Sequence, residues 1–108
     1  MNTIRFHNQE LRLSFGRYQD TNMVALQLWT TGEYPEPYMT ASFNPVEVPD
    51  TDTTRLIAIK DWSENEGIEK ALLDNNVFEK FIKTIPTGYV DGSIYIVNKE
   101  FLTQGEKK

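Results

Sequence analysis

The chain has no cysteine and a single histidine in 108 residues. Disulfide frameworks, thiolate nucleophiles, iron–sulfur ligation and zinc sites built from Cys and His are thereby excluded. Long apolar runs are also missing, since none exceeds a few residues. Neither a leader peptide nor a membrane span is expected, which makes the cytoplasm the expected location. Positive charge is scarce: eleven Lys and Arg face sixteen Asp and Glu, for a net charge of −5. With no basic stripe to neutralise phosphates, direct nucleic-acid binding is disfavoured. The six glycines are scattered, so no phosphate-cradling loop is present.

What the chain does have is apolar and aromatic mass, with 39% hydrophobic residues including six Phe, five Tyr and two Trp. That is enough to offset chain entropy in one domain of this length and too little for two cores. The expected organisation is a single domain over residues 1–100, followed by a frayed polar tail over 101–108. The negative charge is uneven. Residues 1–48 sum to −2, residues 49–76 to −4 and residues 77–108 to +1. An acidic segment of this kind serves solubility, and it also offers a surface to a protein partner or an imitation of nucleic-acid charge.

Ile4 and Phe6, then Leu11, Leu13 and Phe15, alternate with polar residues at the period of a half-buried strand. His7-Asn8-Gln9-Glu10 between them predicts a hairpin turn, and Gly16 predicts a bulge or bend. Val24, Leu26 and Leu28 form a third strand after an Asp20-Thr21-Asn22 turn. Pro35 and Pro37 interrupt the pattern, which resumes over residues 38–43 to make a second hairpin. Residues 44–54 carry no apolar periodicity and predict a surface loop, and Leu56-Ile57-Ala58-Ile59 predicts a central strand covered on both faces.

One helix is expected. Ser63-Glu64-Asn65-Glu66 has the capping-box form; Ile68, Ala71, Leu72 and Leu73 then fall at helical spacing, and Asn75 or Asn76 can close the helix in the left-handed conformation. Over residues 77–85 the apolar positions Phe78, Phe81, Ile82 and Ile85 favour a short helix or an irregular segment. Residues 89–97 predict a final strand, with Asp91-Gly92 as an interruption or tight turn. The expected fold is α+β: a mainly antiparallel sheet of five to six strands with one short helix packed on one face.

Several segments together carry a resemblance: Phe15-Gly16-Arg17-Tyr18, the strand from Val24, Tyr38-Met39-Thr40-Ala41-Ser42-Phe43-Asn44, and above all Lys60-Asp61-Trp62-Ser63-Glu64-Asn65-Glu66-Gly67. A later Pro86-Thr87-Gly88-Tyr89-Val90 adds to it. The chain resembles a family of small uncharacterised proteins encoded on bacterial plasmids and integrative elements. That resemblance implies an accessory protein of mobile DNA, and it brings no active site, cofactor or catalytic residue.

Three carboxylates, Asp61, Glu64 and Glu66, gather around the expected helix start. Such a set can hold a divalent cation for hydrolysis, yet acids there also complement the helix dipole. His7 has Ser14 as its nearest hydroxyl along the chain but no third group to orient it, so no nucleophilic pair is expected. Trp62 precedes the cap, where its stapling partner would be Gly67, which has no side chain to offer. Two candidate surfaces follow: an acidic one of Asp61, Trp62, Glu64, Glu66 and Glu69, and an aromatic one of Trp29, Tyr34 and Tyr38. The expectation is a non-enzymatic module that binds another protein, without cofactor or metal. A small metal-dependent hydrolase built on Asp61, Glu64 and Glu66 is the alternative.

Overall fold

A computed structural model of the chain describes residues 3–45, 52–62, 65–87 and 90–105. The first strands follow their alternating patterns. β1 (Thr3–Phe6) and β2 (Gln9–Arg17) pair through a two-residue turn, because His7 and Asn8 both take positive φ, 54° and 63°. That turn twists with the strands, so Gln9 and Glu10 belong to β2 and not to the turn. β3 (Val24–Thr30) pairs with β2 in unbroken register, with Gly16 opposite Ala25. No bulge marks Gly16.

After β3 the chain makes a fork. β4 (Pro37–Thr40) returns along β3, and β5 (Ser42–Phe43) has left it for β6 (Leu56–Ile59). The strand expected over 38–43 is thus two strands in two ladders. At the crossing, the Ala41 amide donates to the Leu26 carbonyl at 2.9 Å, and the Ala41 carbonyl accepts from Lys60 at 2.9 Å. The next amide of β3, at Leu26, donates to the Ser42 hydroxyl at 2.9 Å instead of to a backbone carbonyl. Tyr18 Oη lies 3.0 Å from the same hydroxyl, so the buried Ser42 is satisfied on both sides.

β6 is buried at every position and holds the centre of the sheet, as its unbroken apolar run predicts. It touches β3 in parallel at Val24 and Ile57 and pairs antiparallel with β8 (Asp91–Val97). The order is β1-β2-β3-β6-β8-β7, with β4 on β3 and β5 on β6: eight strands among the described residues where five to six were expected, in a mixed sheet whose parallel contact is the one between β3 and β6. Asp91 and Gly92 are not a turn but the start of β8, opposite Pro86 and Ile85.

Residues 77–85 are the clearest departure from expectation, for they form an edge strand, β7 (Phe78–Pro86). Its register on β8 slips between Phe78 and Lys80 and again between Phe81 and Lys83, leaving Glu79 and Ile82 as extra residues. Two bulges stretch the two-residue period of a strand, so apolar residues recur at helical intervals without a helix. The bulged Glu79 turns to Arg55, which also binds the Val97 carbonyl.

Two helices, not one, pack on the same face. α1 (Ile68–Asp74) is shorter than the expected helix and buries Ile68 and Leu72, with Ala71 packed at the rim; Leu73, expected on that face, points outward instead. Asn76, with φ 58°, closes it as predicted. Where the frayed tail was expected stands α2 (Lys99–Gly105), whose Leu102 is buried and whose Phe101 ring meets Phe15 at 6.2 Å. A single Phe-Leu pair among polar residues is too little periodicity to announce a helix. The helices and the inward residues of β1, β2, β3, β6 and β8 form the main core. On the other face of β6, β7 and β8, Met23, Leu56, Ala58, Ile85 and Ile94 form a second, smaller one. Of the surface loop expected over 44–54, residues 46–51 lie outside the described residues.

Ser42→Ala tests the fork. It leaves the Leu26 amide buried without an acceptor, and the expected loss is about 1–3 kcal/mol, read as a lower urea midpoint at unchanged slope. A loss below about 0.5 kcal/mol would show that the crossing does not depend on that hydroxyl.

Candidate functional site

The helix start does not use the capping box. Gly67, with φ 96°, precedes α1 and offers no side chain, while Ser63 and Glu64 lie outside the described residues. The cap comes from Asp61. One carboxylate oxygen accepts the Gly67 amide at 3.0 Å, and the other accepts the Glu69 amide at 2.8 Å. Asp61 reaches them from two residues past the end of β6, so the segment that leaves the central strand supplies the negative charge that the first turn of α1 favours. Because the helix begins at Ile68 and not at Ser63, Glu66 falls before it and is exposed.

Glu69, in the first turn, accepts a hydrogen bond from the hydroxyl of Tyr95 on β8. Tyr95 is buried in a stack, with Phe78 nearly parallel at 4.1 Å and Phe81 edge-on at 5.5 Å. Burial pushes the Tyr95 hydroxyl above its ordinary value, and the hydrogen bond to Glu69, the charge of Glu69 and the charge of Asp61 push the same way. The phenol is held neutral as a donor to Glu69.

Trp62 packs neither onto the helix nor into the main core. Its ring meets Phe43 at 5.7 Å, and Phe43 in turn covers Gly92, where a Cβ would stand 2.5 Å from the ring. Gly92 is required by that close approach, which ties Trp62 to the start of β8. Asn65, also from the motif, is buried and donates to the Thr40 carbonyl at 2.7 Å. The acidic stretch, which leaves β6, is therefore a joint to α1, β4 and β5.

The structure thus brings Asp61 and Glu69 together and separates Trp62 and Glu66 from them in role. Among the described residues no group of three His, Asp or Glu side chains is arranged to hold a metal ion. The Phe78-Phe81-Tyr95 stack and its bond to Glu69 left no trace in the sequence, since the partners are 26 residues apart and the bulges hide β7.

The aromatic candidates lie at the other end of the sheet and do not form one cluster. Trp29 is half-buried with the Arg12 guanidinium 5.7 Å over its ring, and its indole N–H is buried with no partner. The Tyr38 hydroxyl lies 2.9 Å from His7 Nδ1, and His7 stacks on Phe6 at 3.9 Å. His7 is thus a turn residue bonded to a phenol. Tyr34 stands alone, 80% exposed. No family model, curated protein or solved structure matches the chain.

Two outcomes are expected from this geometry. Asp61→Ala orphans two amides of the helix start and lowers stability by about 0.5–2 kcal/mol in chemical denaturation; an unchanged midpoint would remove Asp61 from the cap. The Tyr95 value is raised in the fold, so its contribution is complete below the unfolded tyrosine value of about 10 and is lost as pH rises above it. Between about pH 9 and 11, wild-type stability falls more steeply than that of Tyr95→Phe. Parallel profiles would place the Tyr95 hydroxyl in contact with water.

Proposed function

We propose that the chain is a non-enzymatic protein-interaction module, an accessory protein of mobile elements acting in the cytoplasm. In this reading it meets its partner through the α1 side of the domain. One observation carries the proposal: Asp61 and Glu69 are engaged in holding the fold, while the surface beside them exposes large apolar side chains. Asp61 spends both oxygens on backbone amides, and Glu69 receives the Tyr95 hydroxyl. A cation at Asp61 would have to displace two backbone amides, which counts against the alternative hydrolase built on Asp61, Glu64 and Glu66; Glu64 lies outside the described residues. Phe81, edge-on to Tyr95, is 50% exposed, and Leu73, one helical turn after Glu69, is 45% exposed. Aromatic and aliphatic anchors beside a charged rim are the makeup of a protein interface. The exposed Glu66 adds the charge that steers encounter with a basic partner. No helix among the described residues is long and apolar enough to cross a membrane.

The test is capture of partners from a host lysate by wild type, Phe81→Ser and Glu66→Lys, each first shown folded by circular dichroism. Phe81→Ser is expected to lose about tenfold in retained partner at any salt, as an anchor does. Glu66→Lys, which moves the net charge from −5 to −3, is expected to bind more slowly at low salt and to match wild type at high salt. Equal capture by all three proteins would overturn the α1 surface and turn attention to Trp29, Tyr34 and Tyr38.

A further inference from the structure

The connection from β3 to β4 leaves the sheet as a loop with a tied neck. The Thr30 amide donates to the Glu36 carbonyl at 2.9 Å, and the Glu36 amide donates to the Thr30 hydroxyl at 2.9 Å. Below the neck Trp29 pairs with Pro37, and at its side the Thr31 hydroxyl donates to the Glu10 carbonyl of β2. Above the neck, residues 31–36 are all exposed. Pro35 and Pro37 fix their own φ and bias Tyr34 and Glu36, which precede them, towards extended backbone. The loop therefore projects and is stiff.

Tyr34 stands in this loop at 80% exposure, the highest of the large apolar side chains among the described residues. Its side chain forms no hydrogen bond or ring contact among those residues. A Tyr so placed buries little area in the fold and adds little to its stability, whereas a join between two strands needs only turn formers and polar residues. The side chain has two χ angles, so a partner fixes it at a small entropic cost, and a loop that is already stiff adds little more. Charge narrows the partner. Glu33 and Glu36 flank the ring, both exposed, and neither meets a cation among the described residues. No Lys or Arg occurs between Arg17 and Arg55 along the chain. The cations of β1 and β2 face other groups, Arg5 opposite Glu10 and Arg12 over the Trp29 ring.

We propose that loop 31–36 is a second binding element, which places the Tyr34 ring in an apolar cleft of another protein whose rim carries Lys or Arg. The cleft takes up the area that the fold leaves in water, as pockets do for the anchor residues of an interface. The basic rim meets Glu33 and Glu36, and it also suits the negative face of the ring. The element is distinct from the α1 surface, whose anchors Leu73 and Phe81 stand on α1 and β7.

The probe is the full chain with the photo-crosslinker p-benzoylphenylalanine in place of Gly32, where a Cβ meets no atom within 4 Å and φ is not positive. Irradiated in host lysate, it is expected to give one discrete protein adduct, with the crosslink mapped to a surface that carries Lys or Arg around apolar residues. Adding Tyr34→Ala to this chain is expected to reduce the adduct roughly tenfold. Adding Glu33→Gln and Glu36→Gln instead should reduce it at low salt and match the parent chain at high salt, where a steering charge is screened. Adding Phe81→Ser should leave it unchanged, which separates this site from the α1 surface. The loop variants should melt with the parent chain, since their side chains are exposed. Absence of a discrete adduct, a full adduct with Tyr34→Ala, insensitivity to Glu33→Gln and Glu36→Gln at low salt, or loss of the adduct with Phe81→Ser would each overturn the site. Partner capture by Phe81→Ser and Glu66→Lys decides the α1 surface separately.

Discussion

The architecture turns on one hydroxyl. A strand leaving a ladder strands the amide that it would have paired, and a buried amide without an acceptor is costly. Ser42 meets that need by offering Oγ to the Leu26 amide while its own backbone joins β6. Because the crossing is satisfied, β4 can stay on β3, β5 can open the second ladder, and β6 can take its place at the centre of a mixed sheet. Everything on the far side hangs from β6. The Lys60 amide just after it closes the fork, Asp61 next along caps α1, and its opposite edge carries β8 and then β7.

This chain of dependence gives the acidic motif a structural meaning. Asp61, Trp62, Asn65 and Gly67 reach four different elements within a few residues. Gly67 stands 3.5 Å from the Phe6 ring, at a φ that favours glycine. Asp61, which looks like a metal ligand from its place along the chain, is in space part of a joint. The large apolar side chains left exposed beside it are Leu73 of α1 and Phe81 of β7.

How far the sequence showed this depends on whether a signal is local. β1, β2 and β3 were legible because each alternates from end to end, β6 because its run is apolar throughout, and the phase of α1 was legible at Ile68 and Leu72. β7 was not, since two bulges rewrite its period, and α2 was too short in apolar content to show. The cap was misplaced because Ser63-Glu64-Asn65-Glu66 satisfies the local rule, whereas the actual acceptor, Asp61, acts from six and eight residues away. Of the two candidate surfaces, the order of residues identified Asp61 and Glu69 but not their work. The cluster of Tyr95, Phe81 and Glu69 arises only from contacts between residues distant in the chain.

The bulges of β7 have a consequence for assembly. A sheet edge is a template on which another chain can add a strand, and it is dangerous in proportion to its length and regularity. β7 is nine residues long and closes one side of the sheet, with Glu79 and Ile82 breaking its ladder and Lys80 and Lys83 exposed along it. An incoming strand would find its hydrogen-bonding row out of step at both breaks, and it would have to bring its backbone past two ammonium groups. The far edge, β1, is only four residues long. Strand addition, the polymerising contact open to flat and regular edges, is thereby disfavoured along β7.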